Sequence, residues 1–127
     1  EVLQRANFFI EAHTATHPDL RALPDRGIED ELREADDMIE NRLGRLPRYF
    51  AYPYGHHDER VRAIAARRYQ GCFTTRLDYL HPGAALNALP RLDVHYLRSA
   101  RLIGKLEGRR ARTYIAIRRA LRMLRGH

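Results

Sequence analysis

Apolar positions recur along the chain with two different spacings, and together they predict the element order β, α, β, α, β, loop, β, α. Phe8, Phe9 and Ile10 form a short continuous apolar run within Asn7 to Ala12, which predicts a buried strand. That strand leads straight into the polar stretch His13-Thr14-Ala15-Thr16-His17-Pro18, so a histidine cluster stands at its end. Ile28, Leu32, Ala35, Ile39 and Leu43 then keep a 3.6-residue period. With Pro24 near the first turn, acids Asp25, Glu29 and Asp30 early and Gly44 after the last periodic residue, they predict a helix from Pro24 to Leu43. Arg48 to Pro53 (RYFAYP) is an aromatic strand stopped by Pro53 and Gly55. Asp58 can cap a helix through Arg68 with Val61, Ile64 and Ala65 inward. Gly71 to Thr75 predicts a third strand, residues 76–88 with Pro82 and Gly83 an irregular loop, and Leu89 to Tyr96 a fourth strand. Strands separated by helices predict an α/β chain with a mainly parallel sheet or barrel, its functional groups gathered where strands end.

Composition narrows the class. With 127 residues, 44 % hydrophobic and 31 % charged, the chain is one folded domain at most, able to bury a modest core. The lone Cys72 excludes an internal disulfide and any multi-cysteine zinc site. No apolar stretch is long enough to span a bilayer, since Arg or Glu interrupts each one. Glu1 to Ala6 has no basic start followed by an apolar segment, so the chain is expected to begin inside a longer sequence or after processing, with a cytoplasmic or membrane-peripheral location.

Charge divides the chain in two. Residues 98–127 hold ten basic groups and one acid, a net of +9, whereas residues 1–97 hold 13 basic and 15 acidic groups, a net of −2. The division expected is therefore a domain over 1–97 and a basic amphipathic helical tail over 98–127. In the tail Tyr114, Ile117, Leu121 and Leu124 recur at spacings of three and four, with Arg118, Arg119, Arg122 and Arg125 on the other flank. Three roles fit: a terminal helix packed on the domain, contact with an anionic membrane surface or acidic polymer, or nucleic acid. Nucleic acid ranks last, because beyond Tyr96 the tail has only Tyr114 for base stacking.

His13 and His17 stand four apart after a strand, a spacing that can turn two imidazoles toward one divalent ion. The same spacing also suits surface or core histidines. A metal reading needs a third donor, most simply a carboxylate. Of the nearby acids, Asp19 adjoins the His-Pro turn, Asp58 suits a helix cap, and Asp93 is flanked by Arg91 and His95, where pairing is the simpler account. Asp93 is nevertheless the best of them for an active-site role. His56, His57, His81 and His95 read first as loop or surface histidines.

HTATHPDL (13–20) followed by a long helix, then FAYPYG (50–55) closing the next strand, resembles the second and third motifs of the polysaccharide deacetylases. These are also known as NodB-homology or carbohydrate esterase family 4 domains. The resemblance covers about residues 7–95, with PRLDV (90–94) similar to a late strand of the same family. It implies a partial (β/α) barrel with a C-terminal basic helix, and metal-dependent hydrolysis of an acetyl group on an N-acetylated polysaccharide or glycolipid. By position, it implies His13 and His17 as metal ligands and a divalent ion, Zn²⁺ first with Co²⁺ or Mn²⁺ as alternatives. It also implies Thr14, Tyr52, Pro53, Tyr54 and Arg91 at the substrate, with Tyr52 and Tyr54 offering flat faces to a pyranose. The Tyr54 N–H would hold an oxyanion, and Asp93 and His95 would stand in for catalytic groups. The chemistry suits these residue types: a divalent ion polarises a carbonyl and acidifies water, and a fixed donor stabilises the tetrahedral oxyanion.

Departures from the pattern carry their own expectations. The paired-aspartate first motif has no counterpart, and its place would lie before Glu1; Ala51 stands where many relatives have Arg, with Arg91 as a substitute. The histidine of the last motif is not recognisable. The chain alone is thus expected to be inactive or nearly so, needing an N-terminal segment or a second chain to complete the barrel. A non-catalytic glycan-binding or membrane-surface module is the alternative.

Overall fold

The computed structural model describes residues 8–93 and 104–124. The chain divides into two compact units, one built from residues up to 74 together with 83–89, the other from 75–82 and the residues from 90 onward. Strands β1 (Tyr49–Ala51), β2 (Gly71–Leu77) and β3 (Leu89–Arg91) form one sheet in the order β1-β2-β3. β1 and β2 run parallel in the register Tyr49–Gly71, Phe50–Cys72 and Ala51–Phe73. This parallel pairing follows from the helix between them, α2 (Glu59–Ala66), since a hairpin turn can join only antiparallel strands.

Helix α1 (Asp25–Leu43) has the boundaries that Pro24 and Gly44 predict. Pro24 occupies the N-cap, where an N–H is not needed. Gly44 takes the left-handed conformation (φ 68°) and donates its N–H to the Glu40 carbonyl. The Asp58 carboxylate caps α2 by accepting the Val61 N–H at 2.7 Å. Both helices turn their periodic residues inward: Ile28, Leu32, Val61, Ile64 and Ala65 share the core of the first unit with Leu20, Phe50, Tyr52, Tyr69 and Cys72. Phe50 stacks on Tyr69 (centroids 5.1 Å, interplanar 12°) and meets Tyr52 edge-on. Each buried Leu, Ile, Val or Phe among them contributes roughly 1.5–3 kcal/mol by leaving water.

One polar cluster enters this core. Asp36, only 5 % exposed, accepts the Tyr69 hydroxyl at 2.7 Å and two N–H groups of Arg68 at 3.0 and 2.7 Å. Burial, and then the adjoining Asp36, push the Tyr69 phenol well above its ordinary range, so it stays a donor.

In the second unit Leu77 and Ile115 are buried, with Tyr79, Leu92, Leu106 and Tyr114 packed around them. Helix α3 (Arg109–Leu124) belongs to it.

Three local expectations are corrected. Asn7 to Ala12 does not form a buried strand over its described residues: only Ala12 pairs, in a parallel bridge to Phe50, while Phe8 and Phe9 are 62 % and 85 % exposed. Adjacent residues of a strand face opposite ways, so Phe8 and Phe9 cannot both reach the core from one edge. The aromatic strand stops at Ala51, because Pro53 begins a 3₁₀ turn over Pro53–Gly55. In α3 the buried positions are Ala111 and Ile115, not Ile117, Leu121 and Leu124. The late strand is observed over Leu89–Arg91, and its expected end at residues 94–96 lies outside the described residues.

Candidate functional site

The site is assembled at the C-terminal end of β1 in the first unit. The Ala12 N–H donates to the Tyr49 carbonyl and the Ala51 N–H to the Ala12 carbonyl, which brings His13 beside the end of the strand. There His13 Nδ1 lies 2.7 Å from the Ala51 carbonyl oxygen. A carbonyl only accepts, so Nδ1 carries the hydrogen, and in the neutral ring Nε2 holds the lone pair. Fixing one ring nitrogen by a backbone carbonyl is how a histidine is oriented for ligation through the other.

His17 returns to His13 through a tight turn. The Thr14 hydroxyl donates to the His13 carbonyl at 2.6 Å and accepts the His17 N–H at 3.0 Å. The two imidazole rings lie edge to face with centroids 4.8 Å apart, and His17 meets the Tyr54 ring in the same way at 4.6 Å. Thr14 (φ 64°), His17 (φ 62°) and Tyr54 (φ 58°) all occupy the left-handed region, and every non-glycine residue there among the described residues is at this site. Each such residue costs of order 1–3 kcal/mol, so the surrounding structure must hold it.

Glu31 of α1 supplies part of that hold. Its carboxylate accepts the N–H groups of Ala15 and Thr16 at 3.0 and 2.9 Å and the Thr16 hydroxyl at 2.6 Å. Below the turn Glu11 accepts the N–H groups of Arg48 (2.6 Å) and Tyr49 (2.9 Å), tying the approach to His13 onto β1. Neither acid is distinguished in the sequence, because both look like ordinary solvated charges. Glu31 neighbours the periodic Leu32, which places it on the flank of α1 and is the one signal available.

A second polar group stands beside Tyr54. His56 packs its ring against Tyr54 (centroids 5.7 Å) and places Nδ1 3.0 Å from the Asp19 carboxylate. Arg21 donates to that carboxylate through Nε and a terminal nitrogen. Arg21 holds the Asp19 carboxyl well below the usual carboxylate range against the opposing effect of burial, with His56 assisting. Asp19 is thus occupied by pairing.

Several predicted site residues take other places. Tyr52, expected to face a sugar, is 1 % exposed and donates its hydroxyl to the Asn87 carbonyl at 2.8 Å. It alternates inward with Phe50 and can show a ligand no face. Pro53 is likewise fully buried, shaping the turn from beneath. Thr14 spends its hydroxyl inside the histidine turn, so it positions that turn. Tyr54, 58 % exposed, is the aromatic face available next to the histidines. Arg91 and Asp93 belong to the second unit, where they line a cleft of about 330 Å³ with Thr75, Leu92 and Arg122. His95 lies outside the described residues.

A divalent ion fits the chemistry of this donor pair. His13 carries a fixed Nδ1 hydrogen bond, and the two rings meet at a turn whose backbone is braced from α1. Imidazole nitrogen is a preferred zinc donor. Among the described residues no group of three or more His, Cys, Asp or Glu is disposed to hold an ion.

Comparison with known proteins agrees with this geometry. The sequence profile described as polysaccharide deacetylase matches residues 1–69. Chitin deacetylase 1 of Cryptococcus neoformans var. grubii is 45 % identical over 58 residues, spanning 46 % of this chain and 12 % of its own length. A polysaccharide deacetylase from Bacillus cereus superposes with a TM-score of 0.64 at 28 % identity, over 71 % of this chain and 29 % of that one. A Streptococcus pyogenes deacetylase, solved in complex with acetate, gives a TM-score of 0.61 at 28 % identity, over 65 % of this chain and 37 % of that one. The chain therefore spans a minor part of the relatives it matches, and its mixed helix and strand arrangement is that of the deacetylase (β/α) barrels in part.

Proposed function

Because this chain belongs to the polysaccharide deacetylase family, we propose that its histidine turn is the metal-binding half of a centre that deacetylates an N-acetylated polysaccharide or glycolipid. The observation that carries the proposal is the convergence of His13 and His17 beside an exposed Tyr54, with Thr14, His17 and Tyr54 all in the left-handed region. His13 and His17 would hold a divalent ion, Zn²⁺ first with Co²⁺ or Mn²⁺ as alternatives. When bound, such an ion polarises an acyl oxygen and acidifies water.

The chain's own residues do the rest. The Ala51 carbonyl keeps His13 in the tautomer that leaves Nε2 able to ligate, and Thr14 sets the return angle of His17. Tyr54 offers an aromatic face to a sugar ring, and its backbone N–H would serve an acyl oxygen that gains charge. His56, held by Asp19, flanks the same face. The reaction would also need a further ligand and a base that takes a proton from water.

The exposed Tyr54 ring favours a second reading, a glycan-binding module that keeps the aromatic face without turnover. One titration addresses the first reading directly. Zinc or cobalt is added to the chain and to the His13→Ala, His17→Ala double variant, with heat and visible absorption as readouts. Binding near one ion per chain, abolished in the variant, is expected. Equal binding by both proteins removes the metal-centre reading, and turnover of an acetylated chitin oligomer by the isolated chain would refute the need for added groups.

A further inference from the structure

Helix α3 presents its larger apolar residues outward. On a wheel of about 100° per residue, Ile117, Leu121 and Leu124 fall within about 60° of one another, and Ala111 and Ile115 lie about 110° and 150° from the middle of that stripe. The second pair is buried, whereas Ile117, Leu121 and Leu124 are 54 %, 39 % and 84 % exposed. The arginines run the other way. Arg118, Arg119 and Arg122 are half-buried on the packed side, where Arg119 pairs with Asp78 and the Arg112 guanidinium lies 5.2 Å from the Tyr79 ring centre. Water alone selects the opposite arrangement, with apolar side chains in and guanidinium groups out.

The exposed stripe is framed by charge of one sign. α3 contains six arginines and no acid, and Arg109 and Arg110, at its first turn, are exposed. We propose that α3 is an interfacial helix that lies in the surface of an anionic lipid bilayer, with Ile117, Leu121 and Leu124 in the acyl boundary and arginines on the headgroups. The helix is about 24 Å long, suited to lying in the plane, and no helix among the described residues is long and apolar enough to cross a membrane. Charge complementarity selects the occupant. A second copy of the chain would set a segment carrying +9 against its equal, whereas a bilayer supplies both a negative surface and an apolar layer beneath it.

The inference is independent of the deacetylase reading, since its assay contains no glycan. The 127-residue chain is sedimented with vesicles of phosphatidylcholine alone or with about one third phosphatidylglycerol. Partitioning at least about tenfold stronger to the anionic vesicles, reduced by high salt, is expected. The Ile117→Asp, Leu121→Asp double variant should lose at least about tenfold of that affinity, because each charge is costly in the acyl boundary. Both side chains already face solvent, so circular dichroism and melting temperature should be unchanged. Equal partitioning to both vesicle types, or equal binding by the variant, overturns the proposal. A concentration-dependent dimer in analytical ultracentrifugation, dissolved by the same substitutions, overturns it as well and assigns the stripe to a second copy.

Discussion

Replacing Glu31 by Ala tests whether the histidine turn is held from α1. Glu31 accepts three hydrogen bonds, from Ala15 N–H, Thr16 N–H and the Thr16 hydroxyl, at 3.0, 2.9 and 2.6 Å. At about 1 kcal/mol net for each, the sum is about 3 kcal/mol. Thr16 is exposed and water can replace part of the loss, so roughly half, about 1.5 kcal/mol, is the expected cost. That corresponds to a fall in melting temperature of roughly 5 °C for a chain of this size. Locally the effect should exceed the global one, because the braced turn carries Thr14 and His17 in the left-handed region and relaxes once released. Hydrogen exchange read by NMR should show the amides of Ala15 and Thr16 losing about tenfold in protection, with the amides of α1 following only the global change. Zinc affinity should fall by at least about tenfold, since the second imidazole no longer meets the first. Unchanged exchange at Ala15 and Thr16 would falsify the claim that Glu31 holds the turn, whatever the metal result.

Other perturbations separate the roles of neighbouring residues. Asp36→Ala leaves the Tyr69 hydroxyl buried without its acceptor and Arg68 without its partner, so a loss of about 3–4 kcal/mol in urea unfolding is expected; a loss under 1 kcal/mol would show that the cluster contributes little. Tyr54→Leu should weaken binding of a chitin oligomer, whereas Tyr52→Phe should leave it intact and cost about 1 kcal/mol of stability from the lost bond to Asn87; the reverse ranking would restore Tyr52 as a sugar platform. Asp78, although partly buried, is held below the usual carboxylate range by the Tyr79 N–H and Arg119. A depressed folded pKa contributes stability above about pH 4, the unfolded value, and that stability is lost as pH falls through the folded one. Asp78→Asn should therefore flatten the acid limb of the melting curve below about pH 4, and an unaltered limb would place the titration elsewhere.

What could be read beforehand follows from how local each determinant is. Pro24, Gly44 and Asp58 act on their own backbone, and the structure puts α1 and α2 where those residues predict. The meeting of His13 with His17 follows from a four-residue spacing and the Thr14 staple, again a local matter. Long-range determinants were hidden. Glu31 reaches the turn across 15 or more residues, and its one signal, the adjacent periodic Leu32, is shared in kind by Glu34 beside Ala35 and Glu40 beside Ile39. Tyr52 and Tyr54 are equally aromatic in sequence, but the alternation of β1 sends Tyr52 inward with its hydroxyl on Asn87, and the Pro53 turn sends Tyr54 out. In α3 the periodicity identified a helix, yet the face that packs is set by Ala111 and Ile115 meeting Leu77 and its neighbours, which no local rule specifies.

The backbone angles at Thr14, His17 and Tyr54 set a direction for evolution and for engineering. Glycine adopts these angles without steric penalty, so substitutions there can raise thermal tolerance while loosening the apparatus they belong to. Selection for robustness alone would erode the chain first at residues 14 and 54, and a lineage released from its chemistry should record that release as glycine or asparagine at those two places before any change in the core.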